Sequence, residues 1–196
     1  MIRNFDTSLG RMAIHWHGSA GGVRVTRILL PGEETGDRRV GIAAGSAETG
    51  ALATVPPGES ASGERPPDLE RLVNDLLDFL RGDEVAFSTG LLALEDCSRF
   101  QREVLLLEHR VPRGRVTTYG LIAGALGKPG AARAVGGALG SNPFPIVIPC
   151  HRTVRSDGSL GGFGGGTAMK RRLLELEGVR FLPDGRVPPG LVYRGW

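Results

Sequence analysis

Apolar and polar positions fall into runs whose period changes along the chain. Arg-Met-Ala-Ile-His-Trp-His-Gly at 11–18 and Val-Arg-Val-Thr-Arg-Ile-Leu-Leu at 23–30 read as two strands, and Ser19-Ala20-Gly21-Gly22 between them suits a hairpin connection. Pro31 and Gly32 stop the second strand. The stretch 33–67 is rich in Gly, Ala, Ser, Glu and Pro without periodicity, the composition of a long and partly flexible loop. Asp68 then opens an amphipathic helix: Leu69, Leu72, Val73, Leu76, Leu77 and Leu80 recur at helical spacing, and Gly82 ends it.

Beyond residue 95 the pattern is mainly helical. Ser98 and Gln101 form a capping box for a helix whose apolar face includes Phe100, Val104, Leu105 and Leu107. Val111-Pro112-Arg113-Gly114 is a turn, and Arg115-Val116-Thr117-Thr118 is short and extended. Helices near 119–126 and 130–139, separated by Gly127-Lys128-Pro129-Gly130, have the form of a helix-turn-helix. Ile146-Val147-Ile148 is expected to be an extended approach to Pro149-Cys150-His151-Arg152. The glycine-rich run Gly161 to Gly166 leads into a last helix near 168–177, stopped by Gly178, and no internal repeat is present.

Charge changes this picture. Residues 1–97 carry 9 basic and 15 acidic side chains, whereas residues 98–196 carry 15 and 6. Between His109 and Ser156 there are seven basic residues and no carboxylate, a one-signed stretch of the kind that faces a polyanion or forms a solvated basic face. No apolar run approaches the roughly 20 residues of a membrane span, and the first residues lack an apolar signal core. A cytoplasmic protein is expected, without membrane contact. Its two cysteines, Cys97 and Cys150, should then be free thiols.

Cys150 is the candidate nucleophile. A cysteine after an apolar run is commonly a buried small hydrophobe. Here His151 and Arg152 adjoin it, and cationic neighbours lower a thiol pKa. His151 is the obvious base, although neighbours on a strand face opposite ways, so a bridging water or a turn at Pro149 is required. A carboxylate should orient the imidazole, and both Glu175 and Glu177 qualify, being placed where the helix dipole disfavours them. Arg133 stands alone among Ala132, Ala134 and Gly136, small residues that permit close approach of another backbone. The glycine run lacks the Lys-Ser/Thr of a phosphate loop and reads better as a pocket wall. His15 and His17 share a strand face but lack an evident third ligand, so no metal and no cofactor are expected.

These residues resemble the O6-alkylguanine-DNA alkyltransferases. The resemblance runs from about Phe100 to Gly178, through Phe100-Gln101-Arg102-Glu103-Val104, Pro112-Arg113-Gly114, Thr118-Tyr119-Gly120 and Ala132-Arg133-Ala134-Val135-Gly136. It continues in Asn142-Pro143-Phe144-Pro145-Ile146-Val147-Ile148-Pro149-Cys150-His151-Arg152 and Leu174-Glu175-Leu176-Glu177-Gly178. It implies that Cys150 accepts the alkyl group, that His151 activates it through water, and that Glu177 orients His151. It implies further that Tyr119 donates towards the guanine, that Asn142 holds the turn before the nucleophile, and that Arg133 enters the duplex as the base leaves. Val147, Pro149, Phe163 and Gly164 would complete the alkylguanine pocket with Tyr119. Ala132, Ala134, Gly136, Lys128 and Ser156 would meet the DNA with Arg133 and Tyr119, in the minor groove. The wider basic set, Arg113, Arg115, Lys128 and Arg155, would attract phosphates.

The fold expected from this is α+β. An N-terminal α/β unit of RNase H-like form spans 1–95, and a mainly helical, winged-helix-like DNA-binding domain spans 96–196. The partner would be double-stranded DNA carrying O6-alkylguanine, met by a monomer. Three departures stand out: Thr153 where the family usually has Val, Phe163 where many members have Tyr, and Gly140 where some carry a basic residue. Thr153 is close to Val in shape, so little effect is expected of it. Two other readings are a lesion-binding alkyltransferase-like protein that does not transfer, and a cysteine hydrolase using Cys150 and His151.

Overall fold

The computed structural model describes residues 1–19, 22–33 and 66–196. Residues 34–65 of the loop expected over 33–67, and residues 20 and 21 of the expected connection between the strands of 11–18 and 23–30, therefore lie outside the described residues. Three antiparallel strands open the chain: β1 (Ile2–Thr7), β2 (Gly10–Ser19) and β3 (Gly22–Leu29), in that order across the sheet. The first of them was not expected. A tight turn joins β1 to β2, where Gly10 has φ +118° and its carbonyl accepts the Thr7 hydroxyl at 2.6 Å.

Met12, Ile14 and Trp16 of β2 and Val23, Val25 and Ile28 of β3 turn inward. A bulge between His15 and Trp16 shifts the register of their pairing. Helix α1 (Pro67–Arg81) buries Leu69, Leu72, Val73, Leu76, Phe79 and Leu80, while Leu77 is only partly covered. Gly82 closes it in the left-handed region.

The second half holds α2 (Arg99–His109), β4 (Thr117–Thr118), α3 (Tyr119–Ala125), α4 (Ala132–Gly140), β5 (Thr153–Val154) and α5 (Gly166–Leu176). Strands β4 and β5 pair in parallel, Thr117 opposite Thr153. Ser98 caps α2 by accepting the Gln101 amide at 3.3 Å. The reciprocal half of the expected capping box is not made. The Gln101 amide group reaches instead to Ser141 and the Ala138 carbonyl, tying α2 to the end of α4.

One apolar cluster joins both halves, running from Phe5, Ile14 and Leu76 to Val104, Leu139, Ile148 and Leu173. At 25 cal/mol per Å² such burial is the main favourable contribution to folding. A hydrogen bond from the Ile28 amide to the Pro143 carbonyl, 2.8 Å, ties β3 directly to the segment leading to Cys150. A smaller cluster of Val116, Val154, Leu174, Val179 and Val187 lies beneath the C-terminal segment. No helix among the described residues is long and apolar enough to cross a membrane.

Candidate active site

The segment before Cys150 is a folded turn and not the extended approach expected of Ile146-Val147-Ile148. Asn142 holds it at both ends: its Oδ1 accepts the Phe144 amide at 2.9 Å, and its Nδ2 donates to the Ile148 carbonyl at 3.0 Å. The Ile148 amide closes the loop on Phe144 at 2.8 Å, and Ile146 is left at φ +74°, a strained region for a β-branched residue. Cys150–Arg152 then form one turn of 3₁₀ helix. The turn required at Pro149 is thus present, and it removes the objection that adjacent residues on a strand face apart.

Cys150 is 9% exposed and meets a cavity of about 350 Å³. Tyr119, Gly136, Leu139, Gly140, Phe163 and Gly164 share that wall. Three of the expected pocket residues, Tyr119, Phe163 and Gly164, therefore line it. Val147 and Pro149 are buried and do not: they belong to the turn behind the thiol, where the Val147 carbonyl lies 3.1 Å from His109 Nδ1.

Glu177, not Glu175, meets the imidazole. His151 Nε2 lies 2.8 Å from Glu177 Oε1, both side chains out of contact with solvent. Arg152 adds bonds of 3.0 Å from Nε to both carboxylate oxygens and 2.7 Å from Nη2 to Oε1. Glu175 is partnered at the surface by Arg171, 2.9 Å away. Burial works against the Glu177 anion, but His151 and Arg152 outweigh it and hold the carboxyl at about 2. Burial lowers the His151 pKa despite Glu177 beside it, so the ring is neutral at pH 7. An anionic acceptor fixes the hydrogen on Nε2. The lone pair is then on Nδ1, which is buried and has no partner among the described residues.

Cys150 does not have the lowered pKa that its cationic neighbours suggested. Burial pushes the thiol up to about 11, Glu108 adds to the rise, and Asn142 and Lys170 oppose it. Two of these groups escaped the sequence reading. Lys170 is fully buried, its ammonium donating to the Thr153 carbonyl at 2.5 Å and to the Gly162 carbonyl at 3.2 Å. Glu108 is fully buried and accepts the Thr153 hydroxyl at 2.5 Å. A signal for both existed. Lys170, Leu173, Leu174 and Glu177 follow the i, i+3, i+4, i+7 stripe of a buried helix face, and Val104, Leu105 and Glu108 lie on the inner face of α2. Thr153 is also more than a substitute for Val, because its hydroxyl and carbonyl hold two charged side chains.

On α4 the exposed residues are Arg133, Ala134, Gly137 and Gly140, with Ala132 and Gly136 half-buried. Arg133 makes no hydrogen bond or ion pair with the described residues. Ser156 is exposed after β5, and Lys128 lies 3.6 Å from Glu103 and over the Phe100 ring. Arg113 leaves the basic set: it donates to the carbonyls of Gly82, Asp83 and Leu176, joining the ends of α1 and α5. Arg115 donates to the Gly190 carbonyl at 2.8 Å. His15 is half-buried and His17 exposed, and among the described residues no group of three His, Cys, Asp or Glu side chains gathers as a metal site.

Residues 99–179 match the family model for the 6-O-methylguanine DNA methyltransferase DNA-binding domain. A methylated-DNA–protein-cysteine methyltransferase of Methanothermobacter thermautotrophicus is 46% identical over 114 residues, covering 58% of this chain and 64% of that protein. The enzyme of the same name from Salmonella typhimurium is 43% identical over 111 residues, 57% and 64% of the two chains. The match thus spans a little under two thirds of these curated relatives. Among solved structures, Mycobacterium tuberculosis OGT in complex with DNA superposes with a TM-score of 0.66 at 30% identity, covering 90% of this chain and 91% of that one.

Proposed function

The chain belongs to the 6-O-methylguanine DNA methyltransferase family, and on that footing we propose that it repairs alkylated DNA by taking the alkyl group from O6 of guanine onto Cys150. The observation that carries this reading is Cys150 at the wall of a 350 Å³ cavity with His151 clamped to Glu177 behind it. A thiolate is a soft nucleophile suited to displacement at an alkyl carbon. The thioether formed is not hydrolysed, so each molecule acts once.

The O6 substituent cannot be reached within a stacked duplex, so the nucleotide must turn out into the cavity. Tyr119, on the cavity wall, donates towards the departing guanine, and Phe163 and Gly164 bound the base. Asn142 keeps the turn that presents the thiol. Arg133, without a partner among the described residues, fills the space the base vacates, while Ala132, Ala134 and Gly136 let the minor groove approach and Lys128 and Ser156 reach the backbone. The protein acts as a cytoplasmic monomer on double-stranded DNA. In this reading the residues of 1–95 form an N-terminal unit of RNase H-like form, and 96–196 a winged-helix-like DNA-binding domain.

Intact mass after incubation with a duplex containing O6-methylguanine tests the proposal. A gain of one methylene, mapped to Cys150 and saturating at one per molecule, is expected. Tight binding of the lesion without a gain in mass would replace it by lesion recognition alone.

A further inference from the structure

We propose that the last turn of α2 grips the reactive turn on both flanks of the nucleophile, with Glu108 and His109 as positioning residues for Cys150. The inference rests on the alkyl-transfer reading and names two side chains that take part in it without lining the cavity. Glu108 and His109 are neighbours at the end of α2, yet their side chains reach opposite ends of the active-site segment. His109 Nδ1 lies 3.1 Å from the carbonyl of Val147, which precedes the thiol. A carbonyl only accepts, so the ring hydrogen of that bond is on Nδ1. Glu108 accepts the hydroxyl of Thr153, which follows the thiol, at 2.5 Å. Just past the helix, the Val111 carbonyl accepts Arg152 Nη1 at 2.6 Å, on the same flank as Thr153.

The segment between these two bonds depends on support from outside. Ile146, next to Val147, has φ +74°, and backbone of that kind persists only where its surroundings over-determine it. Cys150–Arg152 form a single 3₁₀ turn, whose hydrogen-bond geometry is poorer than that of an α-helix. The bonds of Asn142 to Phe144 and Ile148 set the shape of the turn, and do not set where it sits.

Helix α2 supplies that reference. Its Val104 and Leu105 are fully buried in the main cluster, and Gln101 ties it to the Ala138 carbonyl of α4. Val147 and Thr153 are buried as well, so a bond lost at either is not readily replaced by solvent. A reacting group misplaced by about 1 Å costs on the order of a hundredfold in rate. A loosened flank therefore slows transfer, while the cavity that receives the base keeps its affinity.

The test is single-turnover benzyl uptake from free O6-benzylguanine over a range of concentrations, beside amide hydrogen exchange of the reactive turn. Glu108→Leu and His109→Leu each remove one bond and keep an apolar bulk. Each should lower the limiting rate about tenfold and leave the half-saturating concentration within about twofold of wild type. The Ile148, Cys150 and Arg152 amides, bonded within the segment, should exchange about tenfold faster in both. Glu108→Gln keeps an acceptor and His109→Asn keeps a donor, so these should restore most of the limiting rate. A wild-type rate with wild-type exchange in either Leu variant overturns the two-sided grip, as do Gln and Asn variants no faster than their Leu counterparts. Should Glu108→Leu not fold, Thr153→Val removes the same bond from its other end and is read by the same criteria. A wild type that takes up no benzyl group sinks alkyl transfer instead. Exchange of the turn needs no substrate and then decides the grip alone, unchanged exchange in the Leu variants overturning it.

Discussion

His151 meets Glu177 at 2.8 Å with neither side chain open to solvent, and this contact fixes which ring nitrogen is free to act as a base. Glu177→Gln replaces an obligate acceptor with a group that can also donate, and the imidazole loses its preferred tautomer. Transfer at neutral pH should slow on the order of a hundredfold, measured by single-turnover mass spectrometry. The same substitution has a stability signature. Because the folded carboxyl sits at about 2 against 4.5 for a free one, its contribution is complete above about pH 4.5 and lost as pH falls towards 2. Wild type should lose a few kcal/mol across that window, and Glu177→Gln much less. Equal slopes in acid denaturation would count against the pairing.

Asn142 makes the two bonds that hold the turn closed around Ile146. At about 1 kcal/mol each, Asn142→Ala should cost roughly 2 kcal/mol in urea denaturation. Transfer should fall by more than that loss of stability explains, since the strained turn opens and carries the thiol away from the cavity. Undiminished transfer to Cys150 would show that the turn needs no clamp.

Arg113 and Arg133 should separate cleanly. Arg113→Ala removes three bonds to backbone carbonyls and should lower the midpoint of thermal unfolding while leaving the salt dependence of duplex binding unchanged. Arg133→Ala should leave the midpoint in place. It should slow repair in duplex DNA much more than reaction with free O6-benzylguanine, which needs no extrusion. Equal impairment on both substrates would remove Arg133 from base extrusion.

Gly161 packs against Tyr119. It has φ +69°, and a Cβ there would lie 2.9 Å from the tyrosine oxygen. Gly161→Ala should cost about 1–2 kcal/mol in backbone strain and displace the phenol from the cavity wall. Benzyl transfer should therefore slow severalfold even where the protein remains folded by circular dichroism. A rate equal to wild type would place the Tyr119 hydroxyl outside the reaction.

Local chemistry was legible in the sequence where it is local in the structure. The leucine spacing of α1, the Ser98 cap and the Gly82 stop each depend on residues within one or two turns. Cys150 and His151 adjoin, and the likeness to a known family supplied Glu177. What stayed hidden depends on distant pairings. Glu108 and Thr153 are 45 positions apart, and Arg113 finds Leu176 across 63. Nothing near either residue distinguishes a buried charge from a solvated one, except a helical stripe that includes it. The turn at Ile146 was missed for a related reason: β-branched residues favour extended backbone, and here the two bonds from Asn142, with the Ile148 amide bonded to the Phe144 carbonyl, override that preference.

The hydrogen bond from Ile28 to Pro143 has a bearing on how the chain can be cut. A fragment beginning near residue 96 would retain Cys150, His151, Glu177 and α4, yet it would lose the donor that anchors the carbonyl next to Asn142. It would also expose apolar faces that now rest on Ile14, Val25 and Leu76. The N-terminal sheet is thus an inner scaffold for the reactive turn, and trimming the gene to its most recognisable half would discard what keeps the sulfur in place.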